Sequence, residues 1–110
     1  MVRVSVIGCG NMGGALLRGL ARAEGYHLTA IDLDPEALAA IEDVVDETTE
    51  DVAAARDADI AVLAVKPDVA PAVLDELALR ADQQLVTLAA GLPRGFVPER
   101  ADASVVRIMP

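Results

Sequence analysis

Val2-Arg3-Val4-Ser5-Val6-Ile7-Gly8-Cys9-Gly10-Asn11-Met12-Gly13 opens the chain, and its reading decides the fold. A short apolar run of β-type residues ends in a Gly-x-Gly-x-x-Gly turn. Ala- and Leu-rich sequence follows from Asn11 to Glu24 and reads as a helix, with Gly25 as its stop. Leu28 to Ile31 is a second β-type run, so the glycine turn lies inside a βαβ unit. In that setting Gly8 permits the tight turn, Gly10 lets backbone approach a pyrophosphate, and Gly13 lets helix and sheet pack closely. The helix N-terminus aims free N–H groups and the positive end of its dipole at the same place. A turn that serves packing alone is the other reading.

Outward from this unit, strands and helices keep alternating. Asp34-Pro35-Glu36 supplies an N-cap, a proline at the first helical position and an acid in the first turn, for a short helix over 35–42. Val44-Val45 reads as a weak third strand, and Thr49 to Arg56 as a helix capped by Thr48 or Thr49. Ile60 to Val65 reads as a fourth strand, Pro71 to Arg80 as a helix, Leu85 to Leu88 as a fifth strand and Ser104 to Ile108 as a sixth. The strands are continuously apolar, which suits burial on both faces of a parallel sheet. The expectation is one α/β domain over 1–110, a doubly wound Rossmann-type parallel sheet with six strands in the order 3-2-1-4-5-6.

Composition narrows the function classes. The chain has 110 residues, 54% of them hydrophobic, enough for one domain with a real core. Eighteen acidic residues stand against nine basic ones, for a formal charge of −9, and only Tyr26 and Phe96 are aromatic. That combination argues against nucleic-acid binding, which needs positive charge and stacking platforms. No apolar run approaches the roughly eighteen residues of a membrane span. One cysteine, Cys9, and one histidine, His27, allow neither a disulfide nor a Cys- or His-rich metal site. A cytoplasmic protein is expected. Eight arginines, a single Lys66 and the excess of acids fit either a salt-rich cytoplasm or an ordinary acidic protein from a GC-rich genome.

Asp32 ends the second strand, where a carboxylate can bind the adenosine ribose. Asp34 reads first as the helix cap, with a ribose contact as the alternative. The loop Asp32-Leu33-Asp34 holds no cation for a 2′-phosphate, so NAD(H) is favoured over NADP(H) on charge. Cys9 reads as a small side chain in a tight space, or as a thiol activated by the helix end. Lys66 terminates a buried strand at the edge where open α/β sheets bind ligands; it is a cation for cofactor or reacting face, or a solvated strand end.

The motif Gly8-Cys9-Gly10-Asn11-Met12-Gly13, with Leu17-Arg18-Gly19-Leu20, Ala58-Asp59, Leu63-Ala64-Val65-Lys66-Pro67, Ala89-Ala90-Gly91 and Val106-Arg107-Ile108-Met109-Pro110, resembles pyrroline-5-carboxylate reductase along the whole chain. The resemblance implies the N-terminal NAD(P)H-binding Rossmann domain of an enzyme that reduces the cyclic imine 1-pyrroline-5-carboxylate to L-proline. It implies that Ile7, Gly8, Cys9, Gly10, Asn11 and Met12 cradle the pyrophosphate. Ala64, Val65, Lys66 and Pro67 would line the cofactor, with Ala90 and Gly91 near the nicotinamide. Two positions depart from the family: the Asp32-Leu33-Asp34 loop is usually polar or basic, and Asp51 stands where an Asn often lies near the adenine.

Members of that family continue past the Met-Pro with a mostly helical domain that dimerises and completes the imine pocket. The chain therefore reads as the cofactor half of a reductase, inactive alone, with catalytic groups expected outside it. Strand six, left without a following element, is an edge for self-association or a homo-oligomer. Two other readings stay open: a cofactor domain of another imine or coenzyme reductase, and a standalone NAD-binding sensing or interaction module.

Overall fold

A parallel sheet whose inner strands are covered on both faces dictates apolar side chains in both directions, and the chain meets that demand. The computed structural model describes residues 1–66, 68–77, 80–88 and 104–107, with Leu74 and the last four by backbone alone. The elements are β1 (Val2–Ile7), α1 (Asn11–Ala21), β2 (Tyr26–Ile31), α2 (Pro35–Ala39), β3 (Glu47–Thr49), a 3-10 segment (Val52–Asp57), β4 (Ile60–Leu63), α3 (Ala70–Leu77), β5 (Gln84–Thr87) and β6 (Ser104–Arg107). They form one sheet in the order β3-β2-β1-β4-β5-β6, every pair parallel, as the sequence predicts. The chain starts in the middle and winds outward twice, so β1 and β4 lie side by side at the switch point.

Alternate residues of β1, β2, β4 and β5 feed two separate cores. Val4, Val6, Leu28, Ala30 and Val62 pack under α1 and α2 with Leu17, Leu38 and Ile41. Ile7, Ile31, Ala61, Leu63 and Leu85 pack under the 3-10 segment and α3 with Val52, Ala55, Val73 and Leu77. Among the described residues no helix is long and apolar enough to cross a membrane.

Three sequence expectations are corrected. The third strand is Glu47–Thr49, not Val44-Val45. Those valines are half-buried against the α1–α2 core, and pairing begins only after Asp46, which clasps Leu28 from both sides: its N–H donates to the Leu28 carbonyl (2.9 Å) and its Oδ2 accepts the Leu28 N–H (2.8 Å). The following helix is a 3-10 segment capped by Asp51, whose Oδ1 accepts the Ala53 N–H at 3.0 Å. Thr48 and Thr49 belong to β3 instead, and Thr49 Oγ1 accepts the Asp51 N–H. Helix α1 stops at Ala21 rather than Glu24, because the chain turns back through Gly25 (φ 93°) and Val2 N–H already donates to the Gly25 carbonyl. Smaller shifts affect β2, α2, β4, β5 and α3. For the predicted helix 71–80, residues 78 and 79 lie outside the described residues, and the Arg80 N–H donates to a side chain.

That side chain is Gln83, 1% exposed. Its Nε2 donates to the carbonyls of Ala55 (2.9 Å) and Ala58 (2.7 Å), and its Oε1 accepts the Arg80 N–H (2.6 Å). One amide thus joins the end of the 3-10 segment to the entry of β5, on the sheet edge away from the glycine turn. Gln83→Ala leaves buried backbone groups unsatisfied and is expected to destabilise the fold by about 2 kcal/mol. Urea unfolding checks this: the midpoint falls at constant slope, whereas an unchanged midpoint means that solvent replaces the amide.

Candidate functional site

The turn between β1 and α1 is fixed by contacts that leave no room for side chains. Gly8 has φ +95°, and a Cβ there would lie 2.9 Å from the Ala64 backbone. A Cβ on Gly13 would collide with the Gly8 carbonyl oxygen. Both glycines are therefore demanded by the protein's own packing. Gly10 is different. Its φ is −75°, and a Cβ would meet nothing within 4 Å. No neighbour accounts for glycine there, although its ψ of −145° lies outside the α and β regions. Gly10 is also the N-cap of α1 and makes no side-chain cap bond. The N–H groups of Gly10, Asn11 and Met12 open the helix without intrahelical acceptors. Such an array can cradle an anion.

The cradle forms one wall of a cavity of about 740 Å³ at the carboxyl edge of the sheet. Its floor is Ile7, Gly8 and Ile31; Asp32, Leu33 and Asp34 stand on one side, and Ala64, Val65 and Lys66 on the other. Of the residues that the sequence singles out, Ile7, Gly8, Gly10, Asn11, Met12, Asp32, Asp34, Ala64, Val65 and Lys66 converge on this space. Cys9 and Gly13 are buried and do not line it. Pro67, Ala90 and Gly91 lie outside the described residues. Sequence reading missed the wall made by Val69, Ala72, Val73 and Glu76, together with Val52 and Leu88. These positions stand at i, i+3, i+4 and i+7, one helical face, and such a stripe reads as core. Met12, Leu33 and Val69 are three large apolar side chains left exposed at the rim, Leu33 by 72%.

The acids at the site have defined partners. Asp32 is half-buried; its Oδ2 accepts the Cys9 N–H at 2.8 Å and its Oδ1 the Asp34 N–H at 2.9 Å. Asp34 is the α2 cap, with Oδ1 accepting the Glu36 N–H at 3.0 Å, and it lines the cavity as well. Lys66 is exposed, and its carbonyl accepts the N–H groups of Val69 and Ala70 as α3 begins. The one ion pair among the described residues joins Arg80 to Asp82, so Lys66 is not spent on a described carboxylate.

Cys9 faces inward. Its Sγ lies 3.6 Å from the Ile31 carbonyl and 3.7 Å from that of Val6. Burial, and secondarily the Asp32 charge, push the thiol up to about 11. The geometry favours the small-filler reading over an activated thiol, since the inward-facing sulfur is shielded from the helix end.

The model of a family described as NADP oxidoreductase, coenzyme F420-dependent, matches residues 3–91. Pyrroline-5-carboxylate reductase of Pseudomonas aeruginosa is 42% identical over 101 residues, covering 83% of this chain and 36% of that protein. Among solved structures, a pyrroline-5-carboxylate reductase from Coxiella burnetii superposes with a TM-score of 0.89 at 28% identity, over 99% of this chain and 44% of that one. Plasmodium falciparum pyrroline carboxylate reductase with NADP bound gives 0.81 at 28% identity, over 99% and 42%. The chain spans little more than a third of the length of the curated relative it matches.

The Cys9 environment has a measurable consequence. The unfolded thiol ionises near its ordinary value of 9.0, while the folded one holds its proton to about 11. Its contribution to stability is complete below pH 9 and is lost as pH rises toward 11. Native alkylation by iodoacetamide at pH 8 is expected to be at least about tenfold slower than in urea. Equal rates would mean that the thiol is open to solvent.

Proposed function

The chain belongs to the coenzyme F420-dependent NADP oxidoreductase family, and on that premise we propose that it is the nicotinamide-cofactor domain of a pyrroline-5-carboxylate reductase. The observation that carries the cofactor reading is Gly10: a glycine with no neighbouring atom within 4 Å of its Cβ position, at an uncapped helix start that opens on a cavity of about 740 Å³. The substrate reading rests on the 42% identity to the Pseudomonas aeruginosa enzyme. The family's description also supports a second reading, a reductase that acts on a coenzyme.

In this reading the N–H groups of Gly10, Asn11 and Met12 hold the pyrophosphate, and Ile7 and Gly8 lie beneath it. Asp32 and Asp34 face the adenosine ribose. Ala64, Val65, Lys66 and Pro67 bound the cofactor beyond β4, and Ala90 and Gly91 lie by the nicotinamide. The reduced nicotinamide supplies hydride to the imine carbon when bound. Lys66 is the cation on the described cavity wall, and it offsets part of the charge of an anionic cofactor or substrate. The proton for the new amine, and the clamp that holds the imine in reach of hydride, belong to a further helical part of the kind the longer relatives have room for. Residues 1–110 then form one cofactor domain within a larger, self-associating cytoplasmic enzyme.

We assign NADH as the preferred cofactor. Asp32, Leu33 and Asp34 offer two carboxylates and no cation where a 2′-phosphate would sit, and like charges there disfavour it. Titration calorimetry with NADH and NADPH tests the assignment. NADH is expected to bind more tightly, and Leu33→Arg to shift the ratio toward NADPH by about tenfold. Tighter NADPH binding by the unaltered chain would overturn it. Proline formation from pyrroline-5-carboxylate and NADH is expected only when the 110-residue chain is joined to the C-terminal part of a relative. Absence of turnover in that chimera, with cofactor bound, would turn the reading toward the coenzyme reductase.

A further inference from the structure

The β1–β2 ladder ends where the Gly8 N–H donates to the Ile31 carbonyl at 2.8 Å. Beyond it the two backbones part, β1 into the glycine turn and β2 into the loop before α2. The next rung is made by a side chain. The Cys9 N–H donates to Asp32 Oδ2 at 2.8 Å, Asp32 Oδ1 accepts the Asp34 N–H at 2.9 Å, and the Asp32 N–H donates to the Thr49 carbonyl at 3.2 Å. One half-buried carboxylate thereby ties the glycine turn to the loop that follows β2.

We infer that Asp32 is a positioning residue for the anion-binding turn, acting through the Cys9 N–H, in addition to the ribose contact that its place on β2 suggests. Three observations carry this. Among the described residues the Cys9 N–H has a side-chain acceptor, whereas those of Gly10, Asn11 and Met12 open α1 without a cap bond, on residues that line the cavity. The Cys9 N–H belongs to the Gly8–Cys9 peptide, and its bond to Asp32 fixes the start of the backbone path that sets the direction of those groups. Gly10 cannot set it, because glycine is the most permissive residue and nothing lies within 4 Å of its Cβ position. Finally, a carboxylate beside an anion site repels the ligand, so its presence calls for a compensating role, and accepting the Cys9 N–H is one. It follows that the loop that selects the cofactor and the turn that binds its phosphates are one mechanical unit. Changes at residue 32 would alter both, whereas changes at Leu33 would alter selectivity alone.

This inference rests on the dinucleotide reading only for the identity of the anion, so its test uses inorganic pyrophosphate. Asp32→Asn and Asp32→Ala both remove the charge, but only Asn keeps an oxygen that can accept the Cys9 N–H. NMR titration is expected to show pyrophosphate binding to Asp32→Ala about tenfold more weakly than to Asp32→Asn, the effect of one lost turn-ordering bond. Without ligand, the amide signals of Gly10, Asn11 and Met12 should move in Asp32→Ala and keep near wild-type positions in Asp32→Asn. A purely structural bond would lower the melting temperature of the Ala variant and leave the two pyrophosphate affinities equal; that result would overturn the proposal. Should the Ala variant fail to fold, Asp32→Ser, whose hydroxyl is too short to span the gap, takes its place in the same comparison. A wild-type chain that binds pyrophosphate but not NADH would sink the dinucleotide reading, while the Asn-to-Ala ratio would still decide the role of Asp32. Wild-type protein that binds neither would overturn both.

Discussion

The contact of Gly13 with the Gly8 carbonyl is the constraint from which the rest of the architecture follows. No side chain fits between them, so α1 lies hard against the carboxyl end of β1. That approach drops Leu17 into the core over Val4 and Val6 and sets the helix start on the cavity wall. A larger residue at position 13 would push α1 outward, open the core beneath it and turn the free N–H groups away from the space between β1 and β4. Site and core are two results of one close approach.

Charge at the site is settled over short distances. The chain as a whole carries −9, and Asp32, Asp34 and Glu76 all line the cavity. An anion approaching from afar is repelled. At physiological salt that repulsion is screened over about 8 Å. Within the cavity the ligand meets oriented backbone N–H groups and the helix dipole, which act in the last few ångströms, where screening is weak. A protein with a net negative charge can hold an anion for this reason, with Lys66 the one basic side chain among the described lining residues.

Much of this was legible in the sequence, for identifiable reasons. β1 ends at Ile7, as read, because the glycine turn stops pairing sharply. The Asp34-Pro35 signal marks the start of α2 because cap and proline act locally. Strand order was readable because parallel strands linked by right-handed crossovers allow few alternatives. Misreadings arose where tertiary contacts outweigh local preference. Val44 and Val45 look like a strand by propensity, yet they fill the α1–α2 core while the polar residues after Asp46 pair with β2. Asp51 caps the 3-10 segment because Thr48 and Thr49 are committed to the sheet. The α3 wall of the cavity was hidden for a different reason: Val69 and Val73 look like core, and only the fold shows that a ligand-sized space divides that face. The Asp32–Cys9 bond joins residues 23 apart, and no local pattern announces it.

The bare start of α1 also shapes the protein's energy landscape. Ser, Thr, Asp and Asn at a helix N-cap close the first turn with a side-chain bond, and α1 has Gly10 and no cap bond. A bound anion supplies the missing acceptors, so the ligand becomes the helix's cap and takes part in folding. Occupancy of the site then adds to the free energy of the whole sheet, because α1 shields half of its core. Binding at the glycine turn and the stability of α1 are linked in this way, so occupancy of the site can be read as a rise in melting temperature.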